Sequence, residues 1–146
     1  MKFLQNLRMF RKDYIMRMAE DFGKFLGAVF GLKAEGKWAE LEEFINNSTL
    51  KYTNIEIEHA EGLEDEDLIQ NLIGNYQLNE QNLKMLADLL YEKGIGYSKQ
   101  FKEDKAENVF YKALIIYEYV KNNSTDSDFS LDMHFKMTSL KQLLSK

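Results

Sequence analysis

Apolar residues recur every three or four positions along almost the whole chain, which is the spacing of one face of an α-helix. Leu7, Phe10, Tyr14, Met18, Phe22, Phe25, Val29 and Leu32 form the first series. They predict a helix from Phe3 to Ala34, with a break at Lys12–Asp13, where Asp13 offers a fresh cap. Gly36 ends this element, and a second helix runs from Trp38 through Leu41 and Ile45 to Tyr52. Ile55 and Ile57 then alternate with Glu56 and Glu58, too briefly for a strand with no partner, so the stretch reads as an extended connector. The acids of Glu64–Asp67 suit the positive end of a third helix, residues 65–75, which buries Leu68, Ile69, Leu72 and Ile73. Asn79 caps a fourth helix carrying Leu83, Leu86, Ala87, Leu90, Gly94, Tyr97 and Phe101. Asp104 with Glu107 reads as a capping box for a fifth, continuing through Val109, Phe110, Ala113, Tyr117 and Val120. Residues 122–129 are a polar linker to a last helix with Met133, Met137, Leu140 and Leu144 on one face. About six helices with short links predict a single all-α domain over residues 1–146, with residues 1–12 a candidate N-terminal extension.

Composition sharpens this reading. The 146 residues include no proline, where average usage near 5% would give about seven; helices with tight turns tolerate that absence better than strands with ordered loops. No cysteine is present, so disulfides, thiolate metal sites and a cysteine nucleophile are excluded, in keeping with a cytoplasmic location. No uninterrupted apolar run reaches the length of a secretory signal or of a bilayer crossing, and the expectation is a soluble protein. The net charge of −5 is unevenly spread. Residues 1–37 carry eight Lys/Arg against four Asp/Glu, residues 38–92 two against thirteen, and residues 93–146 nine against seven. The acidic middle argues against nucleic acid, which needs a basic stripe. It suits a basic protein or peptide partner, or solubility alone.

One segment has specific spacing. In "LLYEKGIGYSKQFKEDKAENVFYKAL", residues 89–114, Gly94 and Tyr97 are followed by Ala106, Phe110 and Ala113. This resembles a tetratricopeptide repeat, whose first helix needs a small residue and then a tyrosine, and whose second needs alanine, an aromatic and alanine. Leu90, Lys93 and Glu118 depart from that pattern, standing where the family has tryptophan, leucine and proline. Placing Gly36-Lys37-Trp38 at the turn of an earlier, degenerate copy puts Leu41 and Ile45 in the alanine and aromatic places. Over most of its length, with "MFRKDYIMRM" and "GLKAEGKWAELEEF" ahead of the late repeat, the chain is similar to a family of small, uncharacterised bacterial proteins with a tetratricopeptide-like fold. Members begin near a comparable "DYIMR" segment, which makes Met9 an alternative start. The resemblance implies a right-handed array of helical hairpins, one complete repeat-like unit plus a degenerate one, and brings no known activity.

Gly23, Gly27 and Gly31 lie at a strict four-residue spacing inside the first helix, each costing about 1 kcal/mol relative to alanine. No strand precedes them and no GxxxxGK[ST] is present, against a phosphate loop. The apolar span is too short for a membrane dimer seam. Close packing of a neighbouring helix is the expected return.

Candidate chemistry is sparse. His59 and His134 lack neighbours at metal-ligand spacing, the "EDED" run lacks the glycine and alternating ligands of a calcium loop, and no serine sits in a nucleophile elbow. No cofactor, metal or catalytic residue is assigned. The repeat resemblance implies a peptide groove lined by first helices: Leu26, Phe30 and Lys33 from the early copy, Asp88, Tyr91, Ile95, Ser98 and Lys99 from the late one. The opposing reading packs Phe30, Tyr91 and Ile95 beneath the chain's own third or terminal helix. The start is basic and amphipathic, with Phe3, Leu4, Leu7 and Phe10 beside Lys2, Arg8, Arg11 and Lys12. It suits the protein core or a second subunit better than an anionic membrane. The expectation is a non-catalytic protein- or peptide-interaction module, with a self-associating homodimer as the alternative and an enzyme the least favoured.

Overall fold

The computed structural model describes the backbone of residues 2–124 and 130–145, and side chains from residue 11 onward. Every regular element among the described residues is helical: α1 Lys2–Ala34, α2 Trp38–Thr53, α3 Ile57–Glu61, a 3-10 turn Asp65–Asp67, α4 Leu68–Gly74, α5 Glu80–Lys99, α6 Glu103–Asn123 and α7 Leu131–Leu144. The long helices pack in chain order, α1 on α2, α2 on α5, α5 on α6 and α6 on α7, while α3 and α4 lean on α6.

The α5–α6 hairpin is built on one close approach. A Cβ at Gly94 would stand 2.9 Å or less from three carbons of the Phe110 ring, so α5 presents bare backbone and Phe110 fills the space beside it. Ala106 and Ala113 are buried on the same helix, keeping the two axes near each other. α2 reaches α5 where Leu41 Cδ2 lies 2.9 Å from the place of a Cβ on Gly96.

Both hairpin turns close with one hydrogen-bond pattern. Lys37 N–H donates to the Leu32 carbonyl and Gly36 N–H to that of Lys33, both at 3.0 Å. Lys102 N–H donates to Tyr97 (2.9 Å) and Phe101 N–H to Ser98 (3.1 Å). This is a Schellman closure with its last-but-one residue left-handed. Gly36 (φ 69°) meets that need freely; Phe101 (φ 63°) meets it with a bulky side chain that is 89% exposed. With the two turns superposed, Val29 takes the register of Gly94 and Ile45 that of Phe110. Both are fully buried, so the first hairpin divides the volume evenly where the second divides it between nothing and a ring.

Several expectations are corrected. α1 is continuous, with no break at Lys12–Asp13. The Ile55–Glu58 connector contains α3, because Ile57 and Ala60 are both fully buried and one helical turn is what brings them to the same side. Ile73 is exposed while Leu68 and Leu72 are buried. α6 begins at Glu103 with Lys102 before it and no side-chain cap, so the Asp104–Glu107 box is not formed. The Asn79 cap is formed, in a reciprocal box with Asn82. Residues 122–123 of the expected linker belong to α6, and 125–129 lie outside the described residues. The glycine stripe has no neighbour: a Cβ at Gly23, Gly27 or Gly31 would meet nothing within 4 Å.

Two kinds of glycine therefore behave oppositely. Gly94→Ala lowers stability by about 2 kcal/mol through overpacking against Phe110, whereas Gly23→Ala and Gly27→Ala each raise it by about 1 kcal/mol through helix propensity; urea midpoints measure both. Phe101→Gly raises the midpoint as well, by about 1 kcal/mol, because it relieves a left-handed backbone strained by a side chain that packs on nothing. A fall in that midpoint would contradict the strain.

Candidate functional site

The expected groove residues do not line one open surface. Asp88 is buried, accepting from the Tyr117 hydroxyl of α6 and from Lys136 Nζ of α7 at 3.2 Å. Tyr91 is half-buried, its ring 6.1 Å from that of Phe110 and beneath the Lys136 ammonium. α7 thus lies over the part of α5 that was expected to face a ligand. Ile95 packs half-buried against the core, and Ser98 lines a small cavity closed by Leu143 and Leu144 of α7. On α1, Lys33 pairs with Glu92 at 2.8 Å and ties α1 to α5, Phe30 lies half-exposed beside Lys33, and Leu26 packs half-buried. Lys99 is exposed over the Trp38 ring.

Buried ions hold this arrangement. Lys93, the departure from the repeat pattern, is fully buried and paired with Glu61 at the end of α3. The other Glu61 oxygen accepts from the Tyr97 hydroxyl at 2.7 Å, and its carbonyl accepts from Asn108 at 3.1 Å. Lys112 of α6 donates to Asp65 at 2.7 Å and to Asn108 at 2.9 Å. A leucine at 93 would remove one of the three ties of Glu61, leaving those to Tyr97 and Asn108. Lys136 also reaches Asp132, one turn earlier on α7, at 3.2 Å.

Burial shifts these groups. It pushes the Asp88 carboxyl up, against the pull of Lys136 and Tyr117, and pushes the Tyr117 phenol up with Asp88 adding to it. Burial also raises the Tyr97 phenol, as do its bond to Glu61 and the surrounding acids. For Lys136 burial works against the charge, but Asp88 and Asp132 more than offset it and the ammonium holds its proton more tightly than usual.

An opening to solvent lies elsewhere, between α1 and α2 near their turn. It is a groove of about 530 Å³ lined by Ala28, Gly31, Leu32, Phe44 and Asn47, with Glu35, Glu40 and Glu43 on its rim. Glu35 is paired with Lys37 at 2.9 Å; Glu40 and Glu43 form no ion pair among the described residues. None of the eight expected groove residues lines it. Small residues at 28 and 31 were its signal in the sequence, together with acids just past the Gly36 turn. Among the described residues no group of three or more His, Cys, Asp and Glu side chains is placed to hold a metal ion, and no helix is long and apolar enough to cross a membrane. His59, expected at the surface, is exposed and meets the Tyr76 hydroxyl at 3.2 Å. No family model, curated protein or solved structure matches the chain.

Two outcomes follow from the buried ions. Glu61→Ala strands the Lys93 ammonium and costs about 3 kcal/mol; adding Lys93→Leu recovers most of it, as paired thermal melts of the single and double variants measure. Tyr97, Tyr117 and Lys136 have folded-state values above their ordinary 10.0, 10.0 and 10.5. Their contribution is fully present below pH 10 and is lost as the pH rises further, because the unfolded chain gives up its protons first. In an alkaline titration two of the eight tyrosines ionise only together with loss of the helical circular-dichroism signal. Smooth ionisation of all eight ahead of unfolding would contradict the assignment.

Proposed function

We propose that the chain is a cytoplasmic, non-catalytic interaction module of tetratricopeptide-like type, and that its docking surface is the α1–α2 groove. The observation that carries this is the groove's make-up, an apolar and small-residue floor open to solvent beneath Glu40 and Glu43. An amphipathic helix with basic flanks is the matching partner: its apolar side chains enter the floor, as in helix-in-groove recognition, and its cations meet the rim. Two features support the repeat-like part of the reading, the identical closure of both hairpin turns and the Gly94–Phe110 contact at the spacing the resemblance implies. The first-helix face of α5, by contrast, has α7 over Asp88 and Tyr91.

A self-associating homodimer is the second reading. It is favoured by Tyr14, Ile15 and Met16, which are exposed toward the start of α1.

Labelled amphipathic peptides of equal hydrophobicity, one cationic, one neutral and one anionic, test the groove by fluorescence anisotropy against the full chain at nanomolar concentration. The cationic peptide binds most tightly. Gly31→Leu, which fills the groove with a better helix former, weakens it about tenfold or more, a loss near 1.4 kcal/mol. Equal binding of all three peptides, or no effect of Gly31→Leu, would sink the proposal.

A further inference from the structure

α1 is twice as long as the helix it packs on, 33 residues against 16, or about 50 Å against 24 Å at 1.5 Å per residue. Its first half therefore runs past the end of α2. Residues 11–17 are all exposed, and the Ile15 carbonyl, accepting from Gln81 at 3.3 Å, is a contact with the body close to where the overhang begins. The overhanging sequence is cationic: Lys2, Arg8, Arg11 and Lys12 occur before the first acid at Asp13, interleaved with Phe3, Leu4, Leu7 and Phe10. That is the occupant the groove calls for, an amphipathic helix with basic residues for an apolar floor with an acidic rim.

We propose that the groove of one copy receives residues 2–12 of α1 from a second copy, closing an antiparallel homodimer. This rests on the groove being the docking surface and names what fills it. A chain cannot reach its own groove, because the segment and the groove belong to one continuous helix and their midpoints, residues 7 and 31, are about 36 Å apart. A second copy running the opposite way meets no such limit. It sets its residue 7 beside residue 31 and, by the same two-fold axis, its residue 31 beside residue 7. Both grooves fill at once, and the interface is isologous and closed. Each end pairs a net positive segment with Glu40 and Glu43, so association weakens as salt screens the rim. Tyr14, five turns before Leu32 and on the same face of α1, lies toward the centre of the paired helices, where its exposure in the single copy is removed.

Charge exchange tests the pairing. Sedimentation of the full chain from nanomolar to high micromolar concentration gives a dimer that dissociates on dilution and with added salt. Arg8→Glu with Arg11→Glu gives a monomer, as does Glu40→Lys with Glu43→Lys, each at unchanged helical content. Mixing the two variants restores a dimer, since the introduced acids face the introduced lysines at one end of the axis and Arg8 and Arg11 face Glu40 and Glu43 at the other. A full chain that stays monomeric throughout, or a dimer that survives in both variants, would overturn the proposal. The Arg8/Arg11 variant keeps its groove, so its binding of the cationic peptide separates the two ideas. Peptide binding by an unmodified chain that stays monomeric refutes only the choice of occupant, whereas no peptide binding by the variant refutes the groove itself.

Discussion

The contact of Phe110 with the bare backbone at Gly94 governs the architecture. Two helices approach this closely only where one of them carries no side chain, and the aromatic ring then occupies volume that a β-carbon would contest. Fixing α5 and α6 in this way sets the face each offers to the remaining elements. α2 comes down on α5 at Gly96, a second position without a side chain, and α7 lies across α6 with Lys136 reaching back to Asp88. The first hairpin solves the same problem with Val29 and Ile45, a division of volume that keeps the register while erasing the small-then-aromatic signature.

Part of the charge asymmetry along the sequence is met inside the fold. Glu42, Glu61, Asp65, Asp88 and Glu92, all from the acidic middle, accept from Lys102, Lys93, Lys112, Lys136 and Lys33, cations of the last third and of α1. Buried pairs of this kind contribute little net stability against apolar alternatives, because desolvation offsets most of the attraction. They penalise misplacement, however, since any arrangement that strands one of these lysines leaves a charge without water or partner. α3 and the 3-10 turn, too short to hold themselves, are placed by such pairs. The surface field is accordingly smaller than the segment charges imply, and its acids outside ion pairs among the described residues include Glu40 and Glu43 on the groove.

The helices were legible because their apolar period is long and uninterrupted, and Gly36 and Asn79 mark boundaries by mechanisms that act within a few residues. The α5–α6 contact was legible because spacing alone brings Gly94 and Phe110 together across a short turn. α3 was not: alternating Ile55 and Ile57 are locally extended in pattern, and the contacts that coil the backbone come from residues far along the chain. The role of Lys93 was hidden for the same reason, as its partner stands 32 positions away. The stripe of Gly23, Gly27 and Gly31 announces that something can approach closely without saying from which side. Within one copy nothing does, and the groove lies between faces whose apposition follows from the α1–α2 crossing.

That leaves the cost of three glycines in α1 without a return inside the folded chain. Each weakens the helix by about 1 kcal/mol, and an exposed position would accept alanine at no steric cost. Gly31 lies on the floor of the groove, where a larger side chain would fill the space an incoming helix needs. Under the proposed pairing Gly31 alone of the three then resembles Gly94, leaving room for a second helix supplied by another molecule. In that same pairing the overhang of α1, with Tyr14 exposed, gains a helix alongside it from the second copy.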